Sequence, residues 1–194
     1  MASLKEVKGR IATVNNTRKI TSAMKMVASA KLHKAQGAIT NMLPYERRLH
    51  GLLTNLLGGS EVLVWNTPRE VKRVALVVFS SNSSLCGAFN ANVIKKYHET
   101  IGILENQGYG KEDIDIYVVG RKMAEAVRKS GYDICEDLSE LADKPTYDAA
   151  ADFASSLVDS FTSGEVSQVV LVYSHFASHG SQPPVRENYL PLPL

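Results

Sequence analysis

The feature that most constrains the fold is an amino-terminal segment with the repeat of one half of a coiled coil. With Leu4 as heptad position a, nine of the twelve a and d positions up to Met42 are apolar. This repeat predicts one long helix over residues 1–59, with a kink or break at Pro44 and an end at Gly58-Gly59. A second helix with a matching repeat does not follow within the 194 residues. The larger apolar side chains of this seam are Leu4, Val7, Ile11, Val14, Leu32, Ile39 and Met42.

The seam is interrupted in its middle, where Arg18, Thr21 and Lys25 occupy a and d positions. The apolar side chains of that stretch lie at other positions, namely Ile20, Ala23, Met24 and Val27. Burying one large apolar side chain contributes about 1 to 3 kcal/mol, so an uncovered seam forfeits on the order of 10 kcal/mol. That is comparable to the stability of a whole domain, about 5 to 15 kcal/mol. We therefore expect a partner, or the rest of the chain, to cover the seam.

The same segment carries most of the positive charge. Residues 1–50 hold ten basic and two acidic side chains, a formal charge of +8, whereas the other 144 residues hold twelve basic and eighteen acidic ones and sum to −6. Such a basic helix face can be simply solvated, or it can face an acidic partner. Nucleic acid is a third candidate, but no aromatic residue that could stack on bases precedes Tyr45.

Strands and helices alternate in the second part of the chain, residues 70–194. Apolar runs predict buried strands, and amphipathic segments between them predict helices. This order is typical of an α/β fold, a Rossmann-like, mainly parallel sheet with helices on both faces. The Pro-rich end can add only an edge strand. The predicted strands are 74–80, 114–119 and 167–174, and the predicted helices are 89–107, 121–129 and 147–162.

An α/β sheet invites an enzymatic interpretation, with a ligand at the carboxyl ends of the strands. The first such loop, residues 80–90, has one glycine and matches neither a dinucleotide-binding fingerprint nor a P-loop. Cys86 is predicted to be a small buried apolar group, and His175 and His179 have no third metal ligand nearby. We therefore predict no catalytic, cofactor or metal site. The alternative is a nucleotide- or phosphate-binding α/β enzyme with a helical oligomerisation arm.

Three blocks of sequence resemble one known family. Residues 11–32, IATVNNTRKITSAMKMVASAKL, look like the amino-terminal signature of the gamma subunit of F-type ATP synthases. Residues 84–90, SLCGAFN, resemble the end of a conserved S-D-R-G-L-C-G loop of that family. The segments at 173–178, 182–184 and 189–192 follow in the same order, so the resemblance covers the whole chain.

The resemblance implies a central-stalk rotor. In the family the amino-terminal helix pairs with a carboxy-terminal helix to form a shaft inside a ring of three alpha and three beta subunits. The α/β domain lies against the epsilon subunit and the membrane c-ring, and gamma itself has no catalytic site. Acidic loops of the beta subunits would face the basic helix. The side chains expected to meet the catalytic ring or the shaft are Lys8, Arg10, Arg18, Lys19, Met24, Lys25 and Lys31.

Two departures from the family are visible. Asn82-Ser83-Ser84 stands where the family usually has Asp-Arg-Gly, and the second shaft helix is absent from the 194 residues. No apolar run is long enough to span a bilayer, and the start has no secretion signal. Two cysteines are too few for a disulfide framework. These features predict a reduced, cytoplasm-facing compartment, and the resemblance implies a peripheral protein on the cytoplasmic face of a bacterial inner membrane.

Overall fold

A computed structural model describes residues 3–56, 65, 70, 72–178 and 180–192. The chain divides into two compact units, Met1–Leu56 and Leu57–Leu194. The first unit is a single helix, α1 (Leu4–Leu56), of 53 residues. Its predicted end at Gly58-Gly59 lies outside the described residues, as do the predicted boundaries at 1 and 59.

Helix α1 continues through Pro44, which cannot donate a hydrogen bond to the carbonyl of Thr40. A break at Pro44 is therefore wrong: helical geometry is maintained on both sides of the single missing bond. A kink there stays a prediction. Almost every described side chain of α1 is exposed in the single chain, and Ile39 is the one seam residue that is half-buried.

The second unit contains a five-stranded sheet in the order β3-β2-β1-β4-β5. Strands β1, β2, β3 and β4 are parallel, and β5 pairs with β4 in the antiparallel direction at one edge. The mainly parallel α/β sheet and the edge strand near the Pro-rich end are thus confirmed. The strands are β1 (Val74–Phe79), β2 (Ile114–Val119), β3 (Glu136–Asp137), β4 (Gln168–Ser174) and β5 (Pro184–Leu190), and the helices are α2 (Phe89–Asn106), α3 (Arg121–Lys129) and α4 (Tyr147–Ser163).

Helices cover both faces of the sheet, as predicted. Alternate residues of β1 point to opposite sides, so Leu76 and Val78 meet α2 and α3, whereas Ala75 and Val77 meet α4. Tyr97 of α2 and Phe161 of α4 are the largest fully buried side chains of the two layers. Continuous burial of β1 on both faces explains why its sequence is an unbroken apolar run.

Candidate functional site: a basic helix and a closed sheet edge

The predicted partner-binding residues all lie exposed on α1. Arg10 is the only one with an ion pair in the described part of the chain, to Glu6 one helical turn away at 2.6 Å. Both partners are well exposed, and such a pair contributes at most about 1 kcal/mol. The remaining positive charge of the helix is therefore available to a partner.

Helical periodicity decides how this charge is arranged. At 100° per residue, Arg18 and Lys25 share one side of α1, Lys8 and Lys19 share another, and Lys31 lies on a third. The structure therefore does not bring the predicted residues together into one patch. It spreads them around the circumference of the helix, as suits a partner that surrounds α1.

The apolar side chains follow two directions as well. Leu4 and Val14 of the seam are 74% and 67% exposed, and Ile20 and Met24, on another side of the helix, are 63% and 58% exposed. A helix that is apolar in more than one direction is normally buried by its surroundings. Both apolar stretches of α1 are thus exposed to solvent in the single chain.

A row of threonines runs along α1 between these two apolar stretches. The hydroxyls of Thr13, Thr17 and Thr21 donate to the backbone carbonyls of Gly9, Thr13 and Thr17, at 3.0, 3.0 and 2.9 Å. We call these three residues the threonine ladder. Sequence reasoning missed it, although the spacing of four residues after Gly9 was the available signal.

The other candidate site is the carboxyl edge of the sheet, where an enzyme of this fold would bind phosphate. Three backbone N–H groups begin α3, and all three donate to the loop that follows β1. Those of Arg121 and Met123 donate to Asn82 Oδ1 (2.9 Å) and Ser80 Oγ (2.8 Å). That of Lys122 donates to the Ser81 carbonyl at 3.3 Å. The chain itself thus occupies the helix end that could have held an anion.

Asn82 also binds a third segment, in addition to the loop after β1 and the start of α3. Its Nδ2 donates to the carbonyl of Ser139 at 2.8 Å, in the 3-10 turn that follows β3. Gly120, with φ +123°, lies directly beside this loop, and a Cβ there would come within 2.3 Å of the Ser80 carbonyl oxygen. Only glycine permits so close an approach. Asn82, which stands where the family usually has an aspartate, thus acts through its amide as both donor and acceptor.

Cys86 departs from its predicted role. Its thiol is half-buried rather than buried, and its sulfur accepts a hydrogen bond from Asn90 Nδ2 at 3.1 Å. The prediction of an apolar core group is wrong because the loop turns the sulfur toward polar neighbours. His175 lies after β4 with its ring against Tyr173 (6.4 Å between centroids), and His179 lies outside the described residues.

An apolar cleft lies between the carboxyl ends of β1 and β4, the point where the strand order reverses. Its lining consists of aromatic and aliphatic side chains with two serines, and holds no basic residue. A polyphosphate is normally held by cations together with backbone N–H groups, and this lining supplies no cation. The residues concerned are Phe79, Ser80, Phe89, Leu171, Tyr173 and Ser174.

Comparisons with known proteins agree with this geometry. The ATP synthase family model matches residues 3–194. The chain is 58% identical over 196 residues to the ATP synthase gamma chain of Phocaeicola vulgatus, covering 100% of this chain and 67% of that one. It is 56% identical over 198 residues to the gamma chain of Bacteroides thetaiotaomicron, covering 100% of this chain and 65% of that one. The chain therefore spans about two thirds of the length of these curated relatives.

Solved structures show the same fold. The central stalk and c-ring structure of the Tetrahymena thermophila mitochondrial ATP synthase contains a chain that matches with a TM-score of 0.65 and 23% identity. That match covers 89% of this chain and 72% of the other. A chain of the Euglena gracilis mitochondrial rotor matches with a TM-score of 0.56 and 16% identity, over 93% and 60% of the two chains. Because the family model matches residues 3–194 and the relatives above are 56% and 58% identical, this chain belongs to the ATP synthase gamma-chain family.

Proposed function

We propose that this chain is the gamma subunit of the central stalk, the rotor that couples proton flow through a membrane ring to ATP synthesis and hydrolysis in a catalytic head. The match over residues 3–194 to the ATP synthase family carries this proposal. Helix α1 supports the proposal, because it is a long, exposed, basic helix with apolar residues in more than one direction.

The distribution of charge around α1 favours a partner that encloses the helix. An alpha and beta ring with acidic loops on the beta subunits fits this requirement. Single exposed ion pairs are weak, so Lys8, Arg18, Lys19, Lys25 and Lys31 would orient and steer the ring more than hold it. Met24 would contribute an apolar contact within the same region.

The seam of α1 needs a different partner, a second helix with a complementary repeat. The third of the gamma-chain length that this sequence does not span is the source we propose for that helix. The α/β unit would contact the epsilon subunit and the c-ring. Among the described residues no helix is long and apolar enough to cross a bilayer. We propose a peripheral position on the cytoplasmic face of a bacterial inner membrane.

We also propose that the chain holds no site for nucleotide hydrolysis. The occupied amino terminus of α3 and the cleft without cations support this view. Isothermal titration of the isolated chain with ATP and Mg²⁺ should show no stoichiometric binding at micromolar concentrations. Binding of that kind, with hydrolysis, would favour the alternative α/β enzyme.

Charge reversal on α1 tests the rotor proposal. The triple variant Lys8→Glu, Arg18→Glu, Lys25→Glu should lose most of its co-purification with alpha and beta subunits from the same operon, and the loss should be largest at low salt. A matched control reverses Lys95, Lys129 and Lys144, which are exposed in the α/β unit and change the net charge equally. Equal assembly of both triple variants would contradict the role of α1.

A further inference from the structure

The threonine ladder gives three carbonyl oxygens of α1 two donors each. In an α-helix the carbonyls of Gly9, Thr13 and Thr17 accept the backbone N–H groups four residues later. The hydroxyls of Thr13, Thr17 and Thr21 donate to those same oxygens at 2.9 to 3.0 Å. Because the hydroxyls lie four residues apart, the extra donors fall on one side of the helix.

An extra donor on one side of a helix has a known mechanical effect. Water that donates to exposed carbonyls tilts them outward, lengthens their helical hydrogen bonds and curves the helix with the wet side convex. A threonine hydroxyl that donates to the carbonyl four residues back acts in the same way and often bends the helix. Water is removed when a partner covers the helix, whereas a hydroxyl is part of the chain.

We propose that the threonine ladder bends α1 between residues 9 and 21, with the ladder on the convex side, and maintains that bend where a partner excludes water. The inference rests on the proposed function in one respect, that a ring encloses α1. Local sequence offers little resistance, because Gly9, Asn15 and Asn16 are weak helix formers. The ladder also ends at Thr21, within the stretch where the apolar side chains change direction.

The size of the effect follows from helix geometry. Residues 9–21 span about 18 Å along the axis, from a rise of 1.5 Å per residue. A radius of curvature of about 60 to 100 Å, the usual range for bent helices, turns the axis by about 10 to 17° over that length. Over the roughly 52 Å from residue 21 to the end of α1 at Leu56, such a bend displaces the far end by about 9 to 16 Å, on the order of the diameter of a helix.

Hydroxyl deletion without a change of shape is the decisive test. The variant Thr13→Val, Thr17→Val, Thr21→Val keeps β-branching and a similar helix propensity but removes all three donors. Thr13→Ser, Thr17→Ser, Thr21→Ser keeps the donors. Electron cryomicroscopy of the assembled complex should show the axis angle across residues 9–21 reduced by at least about 5° in the valine variant and unchanged in the serine variant.

Equal angles in all three assembled proteins would overturn the proposal. If the triple valine variant did not assemble, the single variant Thr17→Val should show a smaller straightening of the same sign. No straightening in that variant would again refute the proposal that the threonine ladder bends α1. Assembly is a separate readout. A wild-type chain that carries the proposed second shaft helix and never joins the catalytic head refutes the proposed function, whereas assembled chains with equal angles refute only the proposal that the threonine ladder bends α1.

Discussion

Replacing Asn82 by alanine should destabilise the α/β unit by about 2 kcal/mol. The change removes the acceptor for the Arg121 N–H, a helix-capping contact that contributes about 1 kcal/mol. It also removes the donor to the Ser139 carbonyl, which adds about 0.5 to 1.5 kcal/mol, more where the orphaned group is shielded from water. For a unit of this size the melting temperature should fall by about 6 to 10 °C.

The assay has to report on the α/β unit and not on α1. Trp65 is suitable, because its carbonyl accepts the backbone N–H of Leu192 at 3.0 Å and so lies in that unit. Urea unfolding followed by its fluorescence should show a lower midpoint for Asn82→Ala. Asn92→Ala, on the exposed surface of α2, should change the stability by less than about 0.5 kcal/mol.

Asn82→Asp separates the two contacts of the side chain. The carboxylate still accepts the Arg121 N–H and gains about 0.3 to 1 kcal/mol at the helix amino terminus. It cannot donate to Ser139, however, and places a negative oxygen against a carbonyl. We expect a net loss of about 1 kcal/mol, between wild type and alanine. If the free energy of unfolding of Asn82→Ala lay within about 0.5 kcal/mol of the wild-type value, the two hydrogen bonds of Asn82, from Arg121 and to Ser139, could not stabilise the unit as described.

Other substitutions test the remaining contacts of the α/β unit. Gly120→Ala should lower the free energy of unfolding, measured in urea, by at least about 3 kcal/mol, because the added Cβ has no space and the positive φ is strained for alanine. Gly102→Ala, which has open space in α2, should instead raise the free energy of unfolding by about 0.5 to 1 kcal/mol. Arg73→Ala should cost about 1 to 2 kcal/mol, since it loses two hydrogen bonds to the largely buried Asp115, at 2.6 and 2.7 Å; a double-mutant cycle should recover that coupling. Burial, with a hydrogen bond to the Glu105 carboxylate, raises the pKa of Tyr132. The neutral phenol therefore contributes its full stabilisation of the fold below pH about 10, and this stabilisation is lost as the pH rises further. Tyr132→Phe should accordingly flatten the alkaline decline in melting temperature.

Strands β1, β2 and β4 could be predicted to within a residue because both of their faces are buried. A run such as 74–79 has no polar position that would be compatible with a surface helix. Strand β3 could not be predicted, because Glu136 and Asp137 are exposed and join the sheet only through backbone hydrogen bonds to β2. The break at Pro44 was overpredicted, since one missing hydrogen bond in a 53-residue helix interrupts little.

The closed sheet edge was beyond sequence reasoning for another reason. Asn82 and Arg121 are 39 residues apart, and nothing in the polar loop 80–84 identifies the partner of each side chain. The sequence shows that loop 80–90 lacks a phosphate-binding motif, but it does not show that this loop accepts the hydrogen bonds of the first N–H groups of α3. The charge asymmetry and the seam could be read directly, because both are properties of one continuous helix.

The occupied amino terminus of α3 bears on how such a domain can change during evolution. Opening that helix end to a phosphate would require the loss of two side-chain acceptors, Ser80 and Asn82, and a displacement of the Ser81 carbonyl. Each loss alone lowers stability without creating a usable anion site. An anion site at the start of α3 therefore lies several unfavourable substitutions away from the present sequence.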